Sequence, residues 1–371
     1  MVDRALALVL TDSEKLELTE FALPSIASDD ALLKVEACGL CGTDHEQFTG
    51  AIDLGFSFIP GHEVIGTIDR IGTAASKKWG VKEGDRVAVE VFQSCQQCGP
   101  CLNGSYQRCA RHGIRAMYGH RNVSASPALW GGYATHMYLA PDSLLLPIPT
   151  DLDPIVATLF NPVGAGIRWG VDVPGTKVGD VCVVLGPGIR GLAAAAAMKD
   201  AGARFVMVVG VRPQDDDRLD LAKHFGADLV VDAATDDVVS MLRDAAHSLA
   251  DVVLDVTAKA PAAFRSALRL ARTGGAIVLA GTRGADVDVP GVELDRVVYK
   301  ELRILGALGV DRSAYQRAIN ILVSGQYDFA ALPHRLGHLD TTEDLLRTMA
   351  GSTPGPLPVH AVVVPTWSDC E

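Results

Sequence analysis

Two patterns of apolar residues divide the chain. Through roughly the first 150 residues, short β-rich segments such as 31–37, 63–71 and 85–91 are separated by glycine and proline. This punctuation is typical of short strands joined by turns, and it predicts a compact β domain. From residue 177 onward the pattern changes, because short apolar runs begin to alternate with segments of helical length.

The second pattern predicts an alternation of strands and helices. Strands are expected at 181–185, 205–209, 229–231, 251–256, 276–280 and 302–305, and helices at 189–201, 218–225, 238–246 and 261–271. Apolar strands that alternate with amphipathic helices require a parallel sheet covered on both faces. Six such strands match a doubly wound α/β sheet. A helix at 314–324 and a strand at 361–364 then return to the mixed pattern of the first domain.

Composition indicates a globular protein of two domains. A chain of 371 residues is longer than a single hydrophobic core usually serves, so two domains are expected. Its content of 48% hydrophobic and 21% charged residues is typical of a folded protein. A net charge of −12 without a basic patch argues against nucleic acid or an anionic membrane as partner. The sequence contains no signal peptide and no apolar run of about 18 residues. It therefore predicts a soluble, cytoplasmic protein.

Four closely spaced cysteines carry the clearest chemical signal. Their spacing is C-x2-C-x2-C-x7-C, and the residues are Cys95, Cys98, Cys101 and Cys109. Two residues between thiols allow successive sulfurs to face one point, and four thiolates complete a tetrahedral zinc shell without an open position. The spacing therefore predicts a structural zinc lobe. Two disulfides are the alternative, which a reducing cytosol disfavours.

A glycine-rich loop follows the first predicted strand of the parallel sheet. Gly186-Pro187-Gly188-Ile189-Arg190-Gly191 lies between that strand and a helix, the context in which G-x-G-x-x-G predicts a dinucleotide site. Gly186 permits the tight turn, Gly188 allows a pyrophosphate to approach the backbone, and Gly191 allows close helix packing. The loop predicts Rossmann-type binding of a nicotinamide dinucleotide at the helix N terminus. A glycine turn without a ligand is the alternative.

The end of the second strand bears on the choice between NAD and NADP. An acidic residue about 20 positions beyond the glycines normally binds the ribose 2′-hydroxyl of NAD, and Gly210 occupies that place. Without a carboxylate there, a 2′-phosphate meets less repulsion, and Arg212 could pair with it. Asp215, Asp216 and Asp217 follow and could bind the ribose hydroxyl instead. The sequence slightly favours NADP over NAD.

A second group of metal-binding residue types lies upstream of the cysteine lobe. Residues 38–45 read Cys-Gly-Leu-Cys-Gly-Thr-Asp-His, and a Gly-His-Glu segment follows at 61–63. A thiolate and an imidazole suit zinc, and fewer than four protein ligands leave a position for substrate. These segments predict a second, catalytic zinc site.

Together, these motifs resemble the zinc-dependent medium-chain alcohol dehydrogenases. The resemblance covers nearly the whole chain and includes both zinc motifs, the Rossmann glycines and the Lys300-Glu301-Leu302 segment before the last strand. It implies a GroES-like β domain at 1–162 and 304–371 and a Rossmann domain at 163–303. It also implies one structural and one catalytic zinc, and assembly as a homodimer or homotetramer.

The resemblance implies roles for the residues around the catalytic zinc. Cys41 and His62 match two zinc ligands, whereas Cys38 falls outside the matching position and is expected to be a buried apolar residue. Thr43 matches the residue whose hydroxyl binds the substrate oxygen and begins a proton relay. Asp44 matches the carboxylate that orients the histidine ligand.

The third zinc ligand is where the chain departs from this family. Relatives carry a cysteine, glutamate or aspartate just before the Rossmann domain, whereas this chain has Asn161. A neutral amide oxygen is a weak zinc ligand beside a carboxylate or thiolate. Glu63, adjacent to His62, is therefore the candidate third ligand. Asn161 is expected near the metal, weakly bound or bridged by water.

The resemblance implies reversible oxidation of a small-molecule alcohol to an aldehyde or ketone. Zinc acts as a Lewis acid in this chemistry, and hydride passes to NAD or NADP. Two alternatives remain. One is a polyol or sugar dehydrogenase of the same superfamily, which Thr43-Asp44-His45-Glu46 also resembles. The other is a non-enzymatic cofactor-binding protein on this fold.

Overall fold

The computed structural model describes residues 4–258, 260–284, 287–349 and 358–366. The chain divides into two compact units, the first formed by Met1–Phe160, Asp311–Ser324 and Phe329–Glu371, and the second by Asn161–Val310 and Gly325–Asp328. The chain passes from the first compact unit to the second after Phe160 and returns to the first after Val310. The domain limits predicted from the sequence, at 162 and 304, stay proposals. The outer ends of the first predicted domain, 1–3 and 367–371, lie outside the described residues.

The strands follow the apolar segments of the sequence. In chain order they are β1 (Arg4–Asp12), β2 (Lys15–Ala22), β3 (Ala31–Gly39), β4 (Glu63–Ile71), β5 (Arg86–Val89), β6 (His136–Leu139), β7 (Leu145–Pro147), β8 (Val181–Leu185), β9 (Phe205–Gly210), β10 (Leu229–Asp232), β11 (Ala250–Asp255), β12 (Ala271–Leu279), β13 (Arg303–Gly306), β14 (His334–Gly337) and β15 (His360–Val363). The strands predicted from the sequence are therefore confirmed, with shifted ends.

The α-helices in the described part of the chain have between four and 13 residues. They are α1 (Gly42–Phe48), α2 (Thr73–Trp79), α3 (Gly99–Leu102), α4 (Pro154–Ala157), α5 (Phe160–Ile167), α6 (Ile189–Asp200), α7 (Asp216–Ala222), α8 (Val238–Ala246), α9 (Pro261–Leu270), α10 (Leu294–Tyr299), α11 (Arg312–Ser324) and α12 (Thr342–Met349). None of the helices in the described part of the chain has the length and apolar character of a membrane span.

The first unit is built on a seven-stranded sheet. Its strand order is β14-β15-β3-β4-β5-β7, and β6 also pairs with β3. β3 and β4 are antiparallel, with Gly39 directly opposite Glu63. This pairing places the Gly-His-Glu segment beside the residues that follow β3. The start of β4 and the turn into α1 therefore share one end of the sheet.

The second unit contains the predicted doubly wound sheet. Its six strands are parallel in the order β10-β9-β8-β11-β12-β13, which is the Rossmann order. Every residue of β8 is buried, as a strand covered on both faces requires. The following helix, α6, buries its alanine-rich middle against this sheet.

Candidate active site

Cys41, His62 and Glu63 lie together in the first unit. Their ligand atoms all fall within 4.8 Å of one another, and all three residues are buried. Cys41 caps the N terminus of α1, His62 precedes β4, and Glu63 is its first residue. Zinc–ligand distances of about 2.0–2.3 Å separate tetrahedral ligands by about 3.8 Å or less. A thiolate, an imidazole and a carboxylate are ligand types that zinc takes, and three protein ligands would leave the fourth tetrahedral position open.

Asp44 connects the two segments that carry these residues. Its carboxylate accepts hydrogen bonds from the backbone N–H of Cys41 at 2.8 Å and of Gly61 at 3.2 Å. Its Oδ1 also lies 3.5 Å from Nδ1 of His62. Burial alone would lower the pKa of His62, but Asp44 and Cys41 together raise that pKa well above its usual value. Because Nδ1 faces Asp44, Nε2 is the nitrogen available to a metal.

Two glycines make room around the cluster. A Cβ on Gly39 would lie 2.5 Å from Oε2 of Glu63, and a Cβ on Gly61 would lie 2.6 Å from the ring of Tyr133. Gly61 also has a φ of +88°, which favours glycine. Cys38 is fully buried beside Gly61, as expected, whereas its exclusion from the metal site stays a prediction.

Thr43 and His120 border the cluster. The Thr43 hydroxyl lies 3.6 Å from the sulfur of Cys41. The His120 ring lies 6.0 Å from that of His62, and its Nδ1 donates to the carbonyl of Tyr118 at 3.2 Å. Burial and the nearby His62 lower the pKa of His120 to about 4, so this ring is neutral near pH 7. Sequence reasoning missed His120 because it lies in an irregular segment without ligand spacing.

The four-cysteine lobe also comes together. The sulfur atoms of the four residues lie within 4.8 Å of one another, and those of Cys95 and Cys101 are 3.8 Å apart. That distance matches the separation of two thiolates on a tetrahedral zinc. All four cysteines are free thiols, so the disulfide alternative is not supported. Burial raises the pKa of Cys109, but backbone N–H groups of Cys95, His112 and Arg111 outweigh it and lower that pKa to about 6.

A buried carboxyl group links the lobe to the sheet. Glu90 is fully buried, its Oε2 accepts a hydrogen bond from the hydroxyl of Tyr106 at 2.7 Å, and its Oε1 accepts one from the backbone of Phe92 at 3.2 Å. Burial raises the pKa of Glu90 from 4.5 to about 8. The folded protein therefore holds this carboxyl group protonated at neutral pH.

We expect Glu90 to make the protein less stable as pH rises. Between pH 4.5 and about 8 the folded state keeps a proton that the unfolded chain releases, so this contribution to stability is full below pH 4.5 and lost as pH passes 8. Urea unfolding midpoints of the wild type should fall from pH 6 to pH 9, and Glu90→Gln should flatten that slope. Glu83→Gln, at an exposed position, is the matched control. An equal slope in Glu90→Gln would contradict this expectation.

The glycine-rich loop has the predicted strand–turn–helix geometry. Gly186 has a φ of +103°, and a Cβ on Gly191 would lie 1.9 Å from the carbonyl oxygen of Gly186. A Cβ on Gly188 would meet nothing within 4 Å, which leaves an open backbone face at the N terminus of α6. Ile189 and Arg190 begin this helix. The loop thus has the form that accepts a pyrophosphate.

Carboxylates surround the end of β9. Arg212 pairs with Asp216 and, at 3.3 Å, with Asp220. Asp215 Oδ2 accepts a hydrogen bond from the backbone N–H of residue 211 at 3.0 Å, and a Cβ on Gly210 would lie 3.1 Å from the same oxygen. Asp215 therefore places a carboxylate beside position 210, where the sequence has glycine.

Asn161 belongs to the second unit. It is buried near the start of α5, and its Oδ1 accepts a hydrogen bond from Arg190 at 3.2 Å. This contact connects Asn161 to the glycine-rich loop. Its predicted position beside the catalytic metal stays a prediction.

Comparison with known proteins identifies the family. Residues 27–150 match the profile of the alcohol dehydrogenase GroES-like domain, and residues 191–324 match that of the zinc-binding dehydrogenases. A Mycobacterium tuberculosis protein named as a probable alcohol dehydrogenase is 60% identical over 359 residues, covering 97% of this chain and 98% of that protein. An alcohol dehydrogenase of Geobacillus stearothermophilus is 29% identical, over 86% of this chain and 89% of that protein.

A solved structure agrees with these matches. A protein assigned as a zinc-binding dehydrogenase from Sinorhizobium meliloti 1021, crystallised with NADP, has a TM-score of 0.81 at 26% identity. The match covers 98% of this chain and 100% of that one. The sequence matches, the similarity to this solved structure and the two cysteine-containing clusters support the same assignment. This chain belongs to the zinc-dependent medium-chain dehydrogenase family.

Proposed function

We propose that this protein oxidises an alcohol reversibly to an aldehyde or ketone, with hydride transfer to a nicotinamide cofactor. The observation that carries the proposal is the Cys41, His62 and Glu63 cluster in a chain that also has the Rossmann glycine loop. When bound, zinc supplies a Lewis acid that polarises the substrate oxygen, and the nicotinamide accepts the hydride.

Glu63 is proposed as the third protein ligand. The Cys41 thiolate and the Glu63 carboxylate together carry two negative charges, which balance a divalent cation, whereas the amide of Asn161 would leave one charge uncompensated. The buried position of Glu63 opposite Gly39, with its carboxylate within 4.8 Å of the ligand atoms of Cys41 and His62, supports this role. Asn161 would then make only a weak or water-bridged contact.

Thr43 and Asp44 are proposed to position groups around the metal. The Thr43 hydroxyl lies beside the Cys41 sulfur, where it can hydrogen-bond the substrate oxygen and accept the proton of the alcohol while it releases its own proton to the next group of a relay. Asp44 accepts a hydrogen bond from the backbone N–H of Cys41 and lies 3.5 Å from Nδ1 of His62, a position from which it can orient both ligands.

Turnover with a substrate panel tests the proposed activity. Primary, secondary and cyclic alcohols and polyols, each with NAD and with NADP, should include at least one pair that gives steady-state formation of the reduced cofactor. Cys41→Ala should abolish that rate. Preference for polyols would assign the sugar-dehydrogenase alternative. No turnover by zinc-loaded protein with any pair would instead favour a non-enzymatic, cofactor-binding role.

The contacts at the end of β9 favour NAD, against the slight preference for NADP drawn from the sequence. Arg212 is already engaged by two carboxylates, and Asp215 lies beside Gly210. A 2′-phosphate would add negative charge to this acidic surrounding, whereas a ribose 2′-hydroxyl can donate to Asp215.

We expect kcat/KM for NAD to exceed that for NADP by about tenfold or more, which corresponds to about 1.4 kcal/mol. Asp215→Asn should shift the ratio toward NADP, because it removes the charge and keeps the oxygen that accepts the backbone N–H. Asp217→Asn, at an exposed position, is the matched control. Gly210→Asp is a poor test, since its Cβ would lie 2.8 Å from Pro187. A wild-type preference for NADP would overturn this expectation.

Assembly and location are proposed from the family resemblance. A homodimer or homotetramer is expected, and light scattering of the zinc-loaded protein would give the subunit number. A cytoplasmic location is expected because both clusters contain cysteines without a disulfide partner, which a reducing compartment maintains.

A further inference from the structure

A cavity of about 570 Å³ lies within the first unit, and Cys41, His62 and Glu63 do not line it. This volume is in the range of small-molecule sites. Its walls come from α2, from β6 and the turn after it, and from the segments on either side of the four-cysteine lobe. We refer to it as the lobe cavity.

Arg121 is the group in the lobe cavity without an anionic partner. Its guanidinium lies 3.5 Å over the ring of Trp130 and is half-buried. Burial lowers the pKa of Arg121, and no carboxylate is among the groups that oppose this effect. Across the described ranges, no side chain forms an ion pair with it. A guanidinium stacked on an aromatic ring keeps its in-plane N–H donors available for a carboxylate or phosphate.

The aromatic floor under Arg121 is held in place. Trp130 Nε1 donates to the carbonyl of Ala125 at 2.7 Å, and the ring of Tyr138 meets that of Trp130 edge-on at 5.0 Å. The Tyr138 hydroxyl donates to Asp30 at 2.7 Å. These contacts fix the ring on which the guanidinium stacks, so little ordering is needed when a ligand binds.

The remaining charged groups leave the lobe cavity positive. Asp142 accepts a hydrogen bond from His112 at 2.8 Å and lies 3.5 Å from both Lys78 and Arg111. With histidine counted neutral, three cations line the cavity (Arg121, Lys78 and Arg111) against two carboxylates (Asp142 and Asp29), which gives a net charge of +1. This sign is opposite to that of the whole chain, whose net charge is −12.

We propose that the lobe cavity binds a small oxyanion of the phosphate or carboxylate type, with Arg121 as the bidentate donor. Lys78 and Arg111 attract the anion from the cavity wall without contacting it directly. None of the residues that line the lobe cavity belongs to either cysteine-containing cluster or to the glycine-rich loop.

Calorimetric titration of the zinc-loaded full chain with inorganic phosphate tests this proposal. Saturating NAD and constant ionic strength exclude binding at the glycine-rich loop and general screening. Phosphate should bind with a measurable Kd, and Arg121→Gln should weaken it by about tenfold or more, as expected for loss of a charge-assisted bidentate pair. Arg115→Gln, an exposed arginine outside the cavity, should leave the Kd unchanged.

Two further arms make the outcome decisive. Acetate in place of phosphate shows which oxyanion class is preferred, and uncharged glycerol should not bind. Arg111→Gln should weaken phosphate binding about two- to threefold through its charge alone, which provides a second variant should Arg121→Gln fold poorly. Absence of binding of both phosphate and acetate to the wild type at about 10 mM or below, or equal affinity of the Arg121→Gln and Arg115→Gln variants for the anion that binds, would overturn the proposal.

Discussion

Glu63→Gln is expected to lower kcat/KM for alcohol oxidation by about 100-fold or more. The substitution keeps the size of the side chain but removes one of the two negative charges that balance zinc. Replacing a residue that only hydrogen-bonds a metal ligand already lowers metal affinity or activity by about 10–100-fold, so loss of a direct ligand should cost at least as much. Zinc content at this cluster should fall in parallel and become more sensitive to chelators than that of the lobe. Steady-state kinetics and metal analysis by mass spectrometry measure the two effects.

Glu83→Gln is the matched control for this prediction. Glu83 is exposed and lies outside both clusters, so the same chemical change there should leave rate and zinc content unaltered. Two tightly bound zinc ions and a wild-type rate in Glu63→Gln would show that Glu63 is not a ligand. Asn161 would then be the remaining candidate for the third protein ligand.

Cys109→Ser is expected to lower the melting temperature by about 10 °C or more. Its sulfur is one of the four in the lobe, and the free energy of binding a structural zinc contributes directly to folding. The variant should lose one zinc per chain while the catalytic zinc is initially retained. Thermal unfolding and zinc stoichiometry on the same preparation separate stability from catalysis.

Cys182→Ala provides the control for the lobe. Cys182 is buried in β8 and belongs to neither cluster, so its replacement should keep both zinc ions and change the melting temperature only slightly. An unchanged melting temperature in Cys109→Ser would mean that the lobe does not stabilise the fold.

Local sequence signals were sufficient for the second unit. β8 is an uninterrupted apolar run that ends at the glycine loop, and α6 follows at once, so periodicity and turn chemistry agree there. The shorter strands of the first unit were harder. β7 and β14 have three and four residues, and their place in the sheet depends on partners far along the chain.

In the candidate site, too, some residues could be predicted from local sequence, whereas others depend on the fold. Glu63 could be predicted because it is the sequence neighbour of His62. The approach of His120 to that ring, and the stacking of Arg121 on Trp130, depend on the path of an irregular segment. Asp215 was visible as one of three aspartates, but only the fold shows which of them lies beside Gly210.

Diffraction measured on either side of the zinc absorption edge tests the central claim most directly. The account predicts two anomalous peaks per chain. One should lie about 2.0–2.3 Å from the sulfur of Cys41, Nε2 of His62 and a carboxylate oxygen of Glu63, and the other among the four lobe sulfurs. A peak in the lobe alone, or a zinc at Cys41 and His62 with the Glu63 carboxylate turned away, would contradict it.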